Sequence, residues 1–325
     1  MAAVNASGGA AGHRAAGAST PTKLRGIQRH PVLYGVLIAY AVVSTVFMFV
    51  HAVGVTSDHA LLIVLVLLAI LAPARAFVWD FLPFIAVGVM FSDVGTMVEK
   101  HTQAAHTMAP IVAERAILGG NVAAVWLQQN VRAVLPWLDV PLAVVYLTFF
   151  AAPIVAGIWL WFRHRNHFNL FVTAYIAMMA VGFLIHVVYP ETPPWLAARD
   201  GLLPSVDRIT VSLLDTLGGI GRSYAGADPA PYGAMPALHV AVPSLIAATV
   251  IGIRGWRPSR AWWWLLYPAT MAFATMYLGE HYLLDTIAGM ALGFIAYAVV
   301  RMWSAHTGHT RTLPTPRDSE LRRAA

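Results

Sequence analysis

Two ionisable residues stand where the surrounding sequence is otherwise apolar. In GEHYLLDTIAG, residues 279–289, His281 and Asp285 open a run that continues to about residue 302, long enough to cross a bilayer. An aspartate at the centre of such a helix costs about 2.5–3.5 kcal/mol on insertion, so the pair calls for a reason. Four residues apart, the two share one helical face, about 6 Å apart along the axis. At that spacing the carboxylate can accept a hydrogen bond from one imidazole nitrogen. Such a bond fixes the tautomer and makes the other nitrogen a better nucleophile or base.

A partner lies forty-two residues upstream. PYGAMPALHVAVPSL, residues 231–245, opens another apolar run, with Pro236 suited to a first helical turn and His239 three residues on. Two helices would then present their N-terminal ends, each with a histidine, at the same membrane face. Helix N-termini favour anions through unpaired N–H groups and the helix dipole. Two imidazoles there, one backed by a carboxylate, suit phosphoryl transfer: one attacks phosphorus, the other protonates the leaving oxygen and later activates the acceptor. Taken alone, His239 reads as a packed or interfacial histidine, and His281 with Asp285 reads equally well as a structural hydrogen bond between helices or as a functional pair. Their joint placement favours the functional reading. His186 reads as a packing residue, Glu280 as a solvated turn residue in preference to one that tunes His281, and Pro243 as a kink within its helix.

The elements that must position these residues are membrane helices. Of 325 residues, 58% are hydrophobic and 11% charged, and the mean hydropathy is +0.66. A soluble domain carries about 25% charged residues, so the expected fold class is an all-α polytopic membrane bundle. About eight spans are predicted, near 31–54, 57–73, 76–95, 139–162, 168–189, 235–253, 261–278 and 281–302. Between the third and fourth, ERAILGGNVAAVWLQQNVRAVLPW repeats apolar residues at helical spacing but is broken by Glu114, Arg115, Gln128, Gln129 and Arg132. It reads as a helical segment lying along the membrane surface. Residues 1–30, rich in Ala, Gly and Ser, and 304–325 read as disordered cytoplasmic tails flanking a membrane-embedded catalytic domain, 31–303.

Charge sets the topology. With both termini inside, the compact Arg-bearing loops, Arg163 with Arg165 and Arg254 with Arg257 and Arg260, fall on the cytoplasmic side, as the positive-inside rule asks. The histidines then face outward, and the expected location is the plasma membrane. The net charge of +6 suits lipid headgroups rather than nucleic acid, because the basic residues sit in short loops and tails. The chain has no cysteine, which removes disulfides and thiolate chemistry. It shows no P-loop, no dinucleotide glycine fingerprint and no His-Glu-x-x-His, so a bound zinc is disfavoured.

MPALHVA followed by YLGEHYLLDTIAG resembles the second and third signature motifs of the type-2 phosphatidic acid phosphatase superfamily. The closer likeness is to bacterial members of its inositolphosphotransferase branch, the branch of inositol phosphorylceramide synthase. YPETPPWLAA resembles that branch's first motif region, and RAFVWDFLPF and ERAILGGNVAAVWLQ resemble its upstream segments. The resemblance implies His281 as the nucleophile that forms a phosphohistidine, Asp285 as the residue that orients it, and His239 as general acid and base. It implies no metal and no organic cofactor. The chain departs from the superfamily's phosphatases at Ala237-Leu238, where they carry Ser-Gly, and at Thr275, where they carry Arg. The charge developing on phosphorus needs fixed donors, and Arg199 and Arg222 in the outer loop are the candidates.

The expected reaction is transfer from a lipid phosphate or phosphodiester to a polyol, a lipid alcohol or water. The competing expectation is a transporter or lipid-binding protein that uses the His–Asp pair for proton coupling or structure. Transporters place such groups near the midplane of repeated halves; here they lie at one face and no repeat is seen.

Overall fold

A computed structural model describes residues 79–84, 86–87, 105–216, 232–255 and 258–306. Among them the chain is helical. Its elements are α1 (Met108–Ile117), α2 (Ala123–Trp126), α3 (Asp139–Arg163), α4 (Arg165–Val188), α5 (Pro194–Arg199), α6 (Ile209–Thr216), α7 (Leu238–Arg254), α8 (Pro258–Tyr277) and α9 (Leu283–His306). A π-helical turn, Leu127–Arg132, and a 3₁₀ turn, Pro136–Leu138, join α2 to α3.

The all-α membrane bundle expected from composition is what forms. Pro136–Arg163, Arg165–Val188 and Leu283–His306 are each long and apolar enough to cross a membrane. The α7 helix, Leu238–Arg254, is shorter, about 25 Å at 1.5 Å per residue. The expected spans at 31–54 and 57–73, and both tails apart from residues 304–306, lie outside the described residues. The third span is described only at 79–84 and 86–87, which are helical. Large apolar side chains face outward along α3 (Val144, Val155, Phe162) and α9 (Ile295, Val299, Trp303), where a soluble protein would carry charge.

The core lies where α7 meets α4 and α9, built from Phe171, Met178, Phe183, Leu238, Ala241, Leu245 and Tyr297. Gly289 and Gly293 of α9 set how close α7 comes. A Cβ on Gly289 would stand 2.2 Å from the Ala237 carbonyl oxygen, and one on Gly293 would stand 2.3 Å from that of Ala241. Two glycines one turn apart thus let two backbones touch, the packing small residues permit between membrane helices.

The helix ends sort by charge. Arg163, Arg165, Arg254 and Arg301 mark one end of the bundle. There Asp80 forms a short ion pair with Arg165 and accepts a hydrogen bond from Trp161 Nε1 at 3.0 Å. The other end gathers the starts of α3, α7 and α9 and the ends of α4 and α8. The segment expected to lie along the membrane surface covers that end in pieces rather than as one helix. Gln128 Nε2 donates to the carbonyls of Asp207 and Tyr277 at 2.9 and 3.0 Å, and Gln128 Oε1 accepts from the Asp207 amide at 2.8 Å. Arg132 bridges Asp139 and Asp207 at 3.0 and 2.6 Å.

Candidate active site

Pro236 and His239 straddle the start of α7. Helical backbone begins at Leu238, with Ala237 extended at the N-cap. Pro236 therefore precedes the helix instead of sitting in its first turn, whereas His239 does occupy that turn. His186, near the end of α4, is buried and donates from Nε2 to the Pro236 carbonyl at 3.2 Å, so it braces this entry as a packing residue.

His281 sits between α8 and α9. Its backbone and that of Glu280 donate to the Thr275 carbonyl at 3.3 and 3.0 Å, closing the end of α8. The chain reverses at Gly279, whose φ of +86° an L side chain resists; a Cβ there would also meet the Asp207 carbonyl at 2.8 Å. The Gly279 carbonyl accepts from the Trp195 amide at 3.0 Å, which anchors α5 to the same turn.

The structure brings the three predicted residues together. His281 Nε2 lies 3.4 Å from His239 Nδ1, and the ring centroids are 5.6 Å apart. His281 Nδ1 lies 2.9 Å from the Ala234 carbonyl, which can only accept, so Nδ1 carries the proton and Nε2 carries the lone pair. Asp285 Oδ2 stands 3.7 Å from the same Nδ1. The backbone carbonyl therefore makes the hydrogen bond, and the carboxylate contributes charge at ion-pair distance. His239 stacks on Tyr146 of α3, with centroids 4.2 Å apart and planes at 16°, and lies against Phe149 at 4.3 Å. Its Nε2 is buried with no hydrogen-bond partner among the described residues.

Three short segments hold Ala234 in position. Glu191 pairs through its backbone with His106 on one side and Gly233 on the other. The Glu191 amide donates to the Tyr232 carbonyl at 2.7 Å, and the Ala234 amide donates to the Glu191 carbonyl at 3.4 Å. The YPETPPW stretch is thereby tied to the chain just ahead of MPALH.

Buried acids surround the start of α9. Asp285 Oδ2 accepts from the Tyr282 amide at 2.8 Å. Glu114 of α1, fully buried, accepts from the Leu283 amide at 2.6 Å, capping α9 across 169 residues of sequence. Burial pushes the Glu114 carboxyl above its ordinary range, against the opposing pull of the Leu283 and Ala123 amides. Burial also raises the Glu191 carboxyl, and the neighbouring Asp285 charge adds to it.

The predicted phosphate-binding arginines fare differently. Arg199 is exposed, pairs with the adjacent Asp200 at 3.2 Å and leans over Trp195 with its guanidinium 5.9 Å from the ring centre. It is not brought to the histidines. Arg222 lies outside the described residues. Among the described residues, the cation that acts on the site is Arg208, which the sequence reading passed over. It is largely buried, donates to Glu280 at 3.0 Å, stacks over Trp195 at 4.5 Å and acts electrostatically on His239. Glu280 is accordingly a buried ion-pair partner and not a solvated turn residue, because the α5–α6 segment folds over it.

The comparisons with known proteins give the family. The PAP2 superfamily model matches residues 111–299, more than half of the chain, and the chain belongs to that superfamily. It is 23% identical over 283 residues to the phosphoinositol dihydroceramide synthase of Bacteroides thetaiotaomicron, covering 79% of this chain and 88% of that one. It is 26% identical over 298 residues to the inositol phosphorylceramide synthase of Candida albicans, covering 85% of this chain and 60% of that one. The catalytic subunit of the Schizosaccharomyces pombe inositol phosphorylceramide synthase is 27% identical over 168 residues, which is 48% of this chain and 36% of that one. No solved structure matches. The family and these relatives make the chain a membrane enzyme of lipid phosphate chemistry.

Proposed function

We propose that this enzyme transfers a phosphoryl-linked headgroup from a phospholipid to a lipid alcohol through a phosphohistidine on His281, at headgroup depth on the outer face of the plasma membrane. The observation that carries the reading is the pair of contacts made by the His281 ring: Nδ1 lies 2.9 Å from the Ala234 carbonyl, which can only accept, and Nε2 faces His239 at 3.4 Å.

In the first half-reaction the Nε2 lone pair of His281 attacks phosphorus, and the bond from phosphorus to the lipid oxygen breaks. His239 gives that oxygen its proton, and the neutral lipid alcohol leaves. In the second, His239 takes the proton of the acceptor hydroxyl, the acceptor oxygen attacks phosphorus and the P–N bond breaks. General acid–base help of this kind is worth about 10²–10⁴-fold. The 3.4 Å contact between the histidines leaves no room for phosphorus, so substrate enters by displacing it. The charge that grows on the phosphoryl oxygens is met by Arg208 and by the amide-rich starts of α7 and α9. Asp285 stabilises the imidazolium character that His281 gains. The steps need only side chains and backbone groups of this chain.

The names of the relatives suggest the first substrates to try, a phosphoinositol headgroup and a ceramide acceptor. Water in place of the acceptor alcohol would make the same site a phosphatase. Full-length protein in mixed micelles, given phosphatidylinositol and a fluorescent ceramide, should yield a fluorescent phosphoinositol lipid. Acid-labile label should remain on the protein when the acceptor is withheld. Turnover that survives His281→Ala would end the reading. Free inositol phosphate as sole product would turn it to hydrolysis.

A further inference from the structure

Asp285 is 1% exposed, so protein groups alone must satisfy its carboxylate. Oδ2 is engaged by the Tyr282 amide and lies near His281 Nδ1. Oδ1 is buried with no ordinary donor among the described residues. The Glu191 carboxyl, itself 3% exposed, is buried beside that of Asp285 and likewise leaves one oxygen, Oε1, without a donor. Ionised carboxylates only accept, so two of them can share a hydrogen bond only around a proton; fully ionised, they would repel.

We propose that Glu191 is a positioning residue of this site: un-ionised, it donates its carboxyl proton to Asp285, and so keeps Asp285 ionised and turned toward the Tyr282 amide and the His281 ring. The effect on rate rests on the phosphoryl-transfer reading above; the proton between the two acids does not. The backbone explains why Glu191 has this place, since its bridges to His106 and Gly233 fix the side chain against the start of α9. The charged and titratable groups around it are Asp285, His281 and Tyr282 at that start, Glu114 from α1, and Tyr189 two residues back in its own segment. Only His281 among these can be a cation. Three acids and one imidazole in a dry space therefore retain at least one acid proton. Burial and the Asp285 charge both favour its residence on Glu191.

The test pairs two variants with two measurements. Glu191→Gln keeps a donor toward Asp285 and cannot ionise; Glu191→Ala leaves Asp285 without one. The infrared spectrum of the full-length protein, with no substrate, should show an un-ionised carboxyl band at neutral pH that Glu191→Gln removes, leaving any band from Glu114. In the phosphatidylinositol and fluorescent-ceramide assay, Glu191→Gln should retain most of the turnover, and its alkaline limb should move to higher pH. Glu191→Ala should fall by about 100-fold, the scale of a misplaced reacting group. An infrared band unchanged by Glu191→Gln would overturn the proposal. So would a well-folded Glu191→Gln enzyme as inactive as Glu191→Ala, since the ionised form would then be the one required. If the wild type turns over none of these probes, the functional reading fails while the infrared comparison still decides the proton.

Discussion

Gly289 of α9 and Ala237 at the N-cap of α7 meet backbone to backbone, with no space for a methyl group between them. Ala237 precedes the helix that carries His239, and Gly289 lies eight residues beyond His281. This contact therefore sets the distance between the two imidazoles. Gly289→Ala should favour the isolated helix by about 1 kcal/mol. The overpacking against a carbonyl that cannot swing aside costs about 1–3 kcal/mol and prevails. The expected outcome is a protein that still folds, melts lower and turns over about 100-fold more slowly. Wild-type turnover would show that the helices can part without moving the histidines.

The two histidines should fail differently. His281→Ala should abolish acid-labile labelling of the protein. His239→Ala should still be labelled by a lipid analogue whose leaving group needs no proton, such as a nitrophenyl phosphodiester, while losing about 10²–10⁴-fold on natural leaving groups. Equal failure on both substrates would remove His239 from the acid role.

Asp285→Asn should leave the fold intact, because the amide oxygen can still accept from Tyr282, but lower turnover strongly. The backbone carbonyl of Ala234 already holds the His281 tautomer. The loss should thus fall short of the roughly 10⁴-fold seen where the carboxylate alone sets the tautomer. Rates measured with natural and activated donors will separate these cases.

Arg208→Ala should cost more activity than Arg199→Ala. The first removes a cation that acts on His239 and takes from the buried Glu280 its Arg208 ion pair, so stability should fall as well. Arg208→Ala with Glu280→Gln should recover stability without recovering turnover. A double variant that regains both would make the pair structural only.

Glu114 gives stability a pH dependence with a definite sign. Its folded pKa stands above its ordinary value because of burial, so between the two the folded protein holds a proton that the unfolded chain has released. That contribution is fully present below the ordinary carboxylate pKa and is lost as pH rises through the folded value. Glu114→Gln, which can still accept from Leu283, should flatten the fall of melting temperature with rising pH in detergent. An unchanged slope would assign the dependence to other groups.

The residues proposed to carry the chemistry were the easiest to place. His239 and Asp285 lie in first helical turns that local sequence marks, His281 lies in the turn just ahead of α9, and the apolar runs around them make the bundle. Their supports were harder. Arg208 meets Glu280 across 72 residues, and Glu114 reaches Leu283 across 169. Nothing in local periodicity links such pairs, so Arg199 drew attention merely by its place in the same loop and Glu280 looked solvated beside a glycine turn. One signal went unread: GMALG, the glycine pair at 289 and 293, spells out a close helix contact. The helical pieces between 114 and 138 were legible as helix, but not as the cover of the histidine end, because that docking depends on Gln128 and Arg132 finding backbone and carboxylates far along the chain.

The reach of Glu114 to the first turn of α9 makes the covering segment a latch on the helix that carries Asp285. A small molecule wedged under α1 would release that latch and let the helix start fray. Such a ligand would act on the placement of Asp285 from the side of α1, without resembling a substrate.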